Sequence, residues 1–234
     1  MRGRLFFKIS TVAACALLLG SGMAEGRSPD RRKVEEVERY LPEGSKVYFY
    51  EPGARAALVE SDLDGDGLKE VVAVHTGRTP SEGDWTPPLT LSVLARSGDD
   101  LLLQNSVELK TGMLSVFNVD SDATKFSACD VTGDQRPDMM VLTPGSSLSE
   151  MRLRLFNFDG RGLQELGQLK GQIFFVRCGS TRAGAVQEIS IDMNERKAYQ
   201  TDFQWDGSGF VVKKRRPADD KVILVQPGTM KAPF

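Results

Sequence analysis

The chain has 234 residues, with 30 Lys and Arg against 32 Asp and Glu and a formal net charge of −2. That balance argues against nucleic acid or an anionic membrane surface as the main partner. The length is ample for one domain with a real core.

The first 24 residues read as a secretory signal. Arg2, Arg4 and Lys8 supply a basic start, and 9–19 is an apolar stretch too short to span a bilayer comfortably. Gly22-Met23-Ala24 puts small residues where a signal peptidase reads, so cleavage is expected after Ala24. The mature chain is then expected outside the cytoplasm: secreted, periplasmic or on the cell surface. A rival reading takes Val12-Ala13-Ala14-Cys15 as a lipidation box, but the apolar run Ala16-Leu17-Leu18-Leu19 continues past that cysteine. Cleavage leaves 27 basic against 32 acidic residues, a net charge of −5. No second apolar segment is long enough to cross a membrane, so the mature chain is expected to carry no transmembrane span.

After the signal, 25–55 is expected to hold a helix and a strand. Pro29 fits a first helical turn, Val34, Val37 and Leu41 make an apolar stripe, and Pro42 ends it, so the helix is placed over 30–41. A strand is expected over 46–50.

Next comes Asp62-Leu-Asp64-Gly-Asp66-Gly67-Leu-Lys-Glu70. Carboxylates at positions 1, 3, 5 and 9, with glycine at 6, point side-chain oxygens at one centre, and hard oxygen ligands suit Ca²⁺. Gly67 stands where the loop must reverse with φ > 0. This is not an EF-hand: position 12 is Ala73 rather than Glu, and Val71-Val72-Ala73-Val74 continues as a strand. A second loop, Asp130-Val-Thr132-Gly-Asp134-Gln135-Arg-Pro-Asp138, follows 68 residues on and runs into Met139-Met140-Val141-Leu142. Thr132 replaces a carboxylate and Gln135 replaces the glycine, so weaker binding is expected there.

Three landmarks recur along the chain: an acidic loop or its relic, an apolar strand after it, and a four-residue turn between two more strands. The turns are Ser97-Gly-Asp-Asp100, Asp159-Gly-Arg-Gly162 and Asp206-Gly-Ser-Gly209. Aligned on them, 56–216 reads as three four-stranded units. Unit one has strands at 56–61, 69–76, 89–96 and 101–109. Unit two has them at 124–129, 137–143, 151–158 and 163–169, and unit three at 172–178, 186–193, 198–205 and 210–216. In the third unit, Gly179-Ser-Thr-Arg182-Ala-Gly184-Ala keeps the loop's position without a carboxylate, and no metal is expected there. Unit one carries an insertion at 79–88 around Trp85, read as an exposed anchor for a partner or as a ring folded back onto the unit. A strand at 221–225, within the 217–234 tail, is expected to cover an outer edge.

The mature chain keeps Cys129 and Cys178. They fall in register on neighbouring units, so a bridge between them is one reading and two buried free thiols the other.

The loops Asp62 to Glu70 and Asp130 to Asp138, each leading into an apolar strand, resemble the FG-GAP or VCBS-type calcium-binding repeats of β-propellers. The hairpin Gln204-Trp205-Asp206-Gly-Ser-Gly-Phe210 is similar to those repeats too. The resemblance covers 56–216. It implies one Ca²⁺ held by Asp62, Asp64, Asp66 and Glu70, and a second by Asp130, Thr132, Asp134 and Asp138. The Leu68 and Arg136 backbone carbonyls would be further ligands. Propellers close with about four to eight blades, and three are found here. The expected fold is therefore all-β: a partial propeller-like array of three antiparallel units with a short N-terminal helix. Its terminal strands serve as caps, and closure by oligomerisation is the alternative.

Known catalytic signatures are not found. His75, just beyond the apolar run Val71 to Val74, is read as a solvated or turn residue. The expected function is an exported calcium-binding repeat protein, with structural Ca²⁺, that presents a surface to a protein or glycan. The alternative is an exported hydrolase or an accessory subunit of an envelope enzyme.

Overall fold

The computed structural model describes residues 31–49, 55–77, 88–120, 122–147, 150–179, 183–192, 195 and 197–218. The expected signal segment with Cys15, most of the 79–88 insertion with Trp85, and the expected strand at 221–225 lie outside them. Among the described residues no helix is long and apolar enough to cross a membrane.

The chain starts with α1 (Arg31–Glu38), which buries Val34 and Val37. Leu41 joins them beyond its end. The helix is shorter than expected because its last turn tightens: Arg39 N donates to Glu36 O and Tyr40 N to Val37 O, both three residues back. Five strands follow: β1 (Lys46–Val47), β2 (Leu58–Ser61), β3 (Glu70–Thr76), β4 (Leu89–Ser97) and β5 (Asp100–Glu108). They form one sheet in the order β1-β3-β4-β5, with β2 also on β3. β1 pairs with the end of β3 at His75 and Thr76, and β2 with its start, from Glu70 to Ala73. The strand expected over 46–50 is reduced to β1 and a single bridge between Phe49 and Ala56.

A short hairpin, β6 (Phe117–Val119) and β7 (Asp122–Thr124), comes next and was not expected. Then β8 (Phe126–Cys129), β9 (Asp138–Pro144), β10 (Met151–Phe158) and β11 (Leu163–Gly171) make a second sheet in the order β11-β10-β9-β8. The third sheet is β12 (Ile173–Arg177), β13 (Ala185–Asp192), β14 (Lys197–Trp205) and β15 (Phe210–Pro217), extended past β12 by the β6–β7 hairpin. β6 lies parallel to β12, with Asn118 opposite Phe175.

The protein is thus mostly β, in several antiparallel sheets of which none closes into a barrel. The sheets hold five, four and six strands, where four in each were expected. The surplus has a local cause: β1 extends the first sheet, and β6 pairs back onto β12 across a long stretch of chain.

The second sheet sits between the other two. In β9, alternate residues point to opposite faces. Met139 and Val141 join Leu91, Val93 and Phe156 in one apolar cluster with the first sheet. Met140 and Leu142 join Leu153, Phe174 and Val176 in another, with the third. Burial on both faces explains why Met139-Met140-Val141-Leu142 is apolar throughout rather than alternating. β3 repeats this: Val72 and Val74 face the second sheet, while Val71 and Ala73 pack under α1 with Val34, Val37 and Leu41.

His75 corrects its sequence reading. It is 2% exposed. It lies within β3, flanked by β1 and β4. Its Nε2 is 2.8 Å from Ser92 Oγ and its Nδ1 is 3.1 Å from Thr76 O. Ser92 Oγ is also 2.6 Å from Ser106 Oγ. The strand β1, set down by a helix far back in the chain, is what covers it. Burial holds its pKa below the ordinary histidine value. Unfolding therefore favours proton uptake, so this group's contribution to stability is complete above pH ~6.5 and declines as pH falls towards the folded value. The chain's single histidine makes the ring resonance in a proton NMR titration unambiguous. The expected midpoint is below about 6.5, and a midpoint at or above that value would contradict the buried placement.

Candidate functional site

Each acidic loop joins the edge strand of a sheet to its neighbour: the first joins β2 to β3, the second β8 to β9. Both are built on the same hydrogen bonds. Asp62 at position 1 accepts from Gly65 N (2.8 Å) and Gly67 N (3.0 Å). Asp130 accepts from Gly133 N (2.5 Å) and Gln135 N (3.0 Å). At position 5, Asp66 accepts from Leu68 N (2.7 Å) and Asp134 from Arg136 N (2.9 Å). At position 9, Glu70 accepts from Leu63 N (2.7 Å) and Asp138 from Val131 N (2.8 Å). The turns need φ > 0 at position 6, and Gly67 has φ 89°. Gln135 takes φ 70° at the matching position, where a Cβ is disfavoured. Gln135→Gly is expected to raise stability by about 0.5–1 kcal/mol, as relief of that strain exceeds the added chain entropy. Urea denaturation measures it, and a destabilised variant would show that Gln135 makes a compensating contact.

The first loop brings Asp62, Asp64 and Glu70 together, with one carboxylate oxygen of each within 4.8 Å of the others. Glu70 is buried, and that burial pushes its carboxyl upwards. Asp66 stands outside the triad. Leu68 is 59% exposed at the loop's end. The second loop gathers no such triad among the described residues. Asp134 pairs instead with Arg136, whose Nε and a terminal guanidinium nitrogen donate to its Oδ2 at 3.2 and 3.0 Å. The sequence spacing gave no sign of that pairing.

Asp138 is the most confined of these acids. It is fully buried, and its Oδ2 takes both Val131 N and Thr132 N. Its Oδ1 has no hydrogen-bond partner, and neither does the buried Thr132 Oγ1. An unpartnered buried carboxylate oxygen costs free energy unless something pairs with it. Burial pushes the Asp138 carboxyl up to about 6.

The loops meet the next sheet along. A Cβ on Gly160, in the β10–β11 turn, would lie 2.7 Å from Asp64 Oδ2. The second loop borders a cleft with Trp205, Asp206 and Gly207 of the β14–β15 turn. Trp205 itself is half-buried and edge-on to Phe210, with centroids 5.4 Å apart. The structure joins Cys129 to Cys178 with Cα atoms 5.5 Å apart, tying β8 to the chain just beyond β12. Gly179 N donates to Asp130 O (2.6 Å) beside it. The third-unit loop thus rests on the second acidic loop.

The nucleophile and base types His75 and Ser92 are paired inside the first sheet, 2% and 0% exposed, and not in a cleft. No protein-family model matches this chain, and no curated protein or solved structure is significantly similar to it.

Proposed function

We propose that the chain is an exported calcium-binding protein. In this reading it is a partial propeller-like array of three units, with structural Ca²⁺ in the strand junctions, that presents a surface to a protein or glycan partner. The observation that carries the proposal is the shared hydrogen-bond scheme of two acidic loops 68 residues apart, each at a strand junction of a different sheet. A loop preserved in that detail has a common task, and oxygen-only donor sets suit a hard cation. Two features fit the ion. Asp62, Asp64 and Glu70 converge. The bare Asp138 Oδ1 and Thr132 Oγ1 want a partner that no protein group provides. Asp66, Asp130 and Asp134 and the Leu68 and Arg136 carbonyls would complete the two sets. At the second site Asp134 must first be released from Arg136.

Calcium is expected to bind more tightly at the first loop, which has more carboxylates and no competing arginine. Extracellular modules bind at roughly 10⁻⁴–10⁻³ M. Isothermal titration of wild type, Asp64→Ala and Asp134→Ala checks this. Asp64→Ala should abolish the stronger site and Asp134→Ala should leave it. Retention of the stronger site in Asp64→Ala would refute the assignment. The apolar clusters do not depend on the ion, so the calcium-free protein should stay folded and gain about 2.7 kcal/mol at a hundredfold excess over Kd.

A further inference from the structure

The third sheet has a cleft on the face turned away from the second. Val186 of β13 packs against the second sheet, so its neighbour Gln187 points the opposite way. Gln187 lines a cleft of about 450 Å³ together with Arg177, Asp202, Phe203, Lys213 and Arg216. That is the size range of small-ligand sites.

Two features of this cleft are unusual for a chain with a net negative charge. The first is its cations: Arg177, Lys213 and Arg216 outnumber the one acid, Asp202. Asp202 is already engaged. Its Oδ1 accepts from Gln187 Nε2 (2.8 Å) and Gln200 Nε2 (3.1 Å). Arg216 stands 3.8 Å from its Oδ2, at the outer limit of an ion pair. The second feature is an orphan acceptor. Gln187 is 3% exposed, and its amide orientation is set by the bond to Asp202. That leaves Gln187 Oε1 with no partner. Buried amide oxygens are nearly always paired, so this one marks a place for a donor.

We propose that this cleft binds an acidic saccharide: a uronate carboxylate meets Arg177, Lys213 and Arg216, and a ring hydroxyl donates to Gln187 Oε1. The idea rests on reading the chain as a binding module and names the chemistry of its partner. The ligand must supply an anion and a donor close together, beside the apolar Phe203. A uronate sugar carries hydroxyls near its carboxylate, whereas an Asp or Glu side chain carries none. Guanidinium groups match a carboxylate in two-point geometry.

The test uses the protein in calcium-free buffer with EGTA, so that no ion bridges protein and sugar. Titration calorimetry is run with tetragalacturonate, a hyaluronan tetrasaccharide, the methyl ester of tetragalacturonate and tetraglutamate. The expected result is binding of at least one acidic tetrasaccharide, with the ester and the peptide at least about tenfold weaker, the scale of one charge-assisted hydrogen bond. Gln187→Glu places a repelling carboxylate at the orphan position and should weaken binding by about tenfold or more. Lys213→Ala, at an exposed position, covers the case that Gln187→Glu disturbs the fold, and should weaken binding by several-fold. The proposal is overturned if neither acidic tetrasaccharide binds, if ester or peptide binds as well as acid, or if both variants bind like wild type. Calcium titration of the same preparation reads the first loop separately. A null result here with calcium binding intact removes only the saccharide assignment. Loss of calcium binding with saccharide binding intact removes only the calcium reading.

Discussion

Replacing Cys129 and Cys178 with serine is expected to lower stability by about 4 kcal/mol on the chain-entropy account of a closed loop. The bridged residues are 49 apart in sequence, so the cross-link removes much freedom from the unfolded chain. A folded-state effect should accompany it. Cys129 directly precedes Asp130 of the second acidic loop, and Cys178 N donates to Asp120 Oδ1 (3.2 Å) beside β6. Gly179 N then holds Asp130 O. Without the bridge, β6, β12 and the second loop lose a common anchor. If the proposed calcium reading holds, the second site should weaken more than the first. Guanidinium denaturation of the double serine variant against wild type, both in excess calcium, gives the number. A change under about 1 kcal/mol would mean that the bridge does little for the folded protein.

Phe156→Ala is expected to cost about 3–5 kcal/mol. Phe156 is fully buried between the first and second sheets, beside Leu91, Val93, Met139 and Val141. The Arg154 guanidinium lies 4.9 Å from its ring centroid. Removing the ring opens a cavity where two sheets meet, and strands held by backbone bonds cannot close in to fill it. Val212→Ala is the control: Val212 is 59% exposed, and its loss should stay within about 0.5 kcal/mol. If Phe156→Ala cost no more than the control, the two sheets would not share the core seen here.

The strands of all three sheets were close to legible, because their signals are local. Met151-Arg-Leu-Arg-Leu alternates, and the Asp-Gly turns at Asp159 and Asp206 close hairpins with their own backbone bonds. β10 spans Met151–Phe158 and β15 starts at Phe210, as the alternation and turns imply. The oxygen spacing of the acidic loops was equally local, since a side chain reaching two to five residues along its own loop needs no distant partner.

Other features depended on segments far apart. β6 and β7 have three residues each and no pattern of their own; they exist because Asn118 finds Phe175, 57 residues away, as a parallel partner. His75 looked solvated until β1 was laid beside β3. Gln187 and Glu188 lie in one apolar-flanked strand and read alike, yet the pleat sends Gln187 to the outer cleft and Glu188 to the opposite face. Sequence by itself determined the strands, the turns and the acidic loops, because those are settled within a few residues by backbone geometry and side-chain reach. Tertiary structure alone decided which sheet edge gained an extra strand, which acids converge, and which polar groups are left buried without a partner, because each depends on what packs against it from elsewhere in the chain.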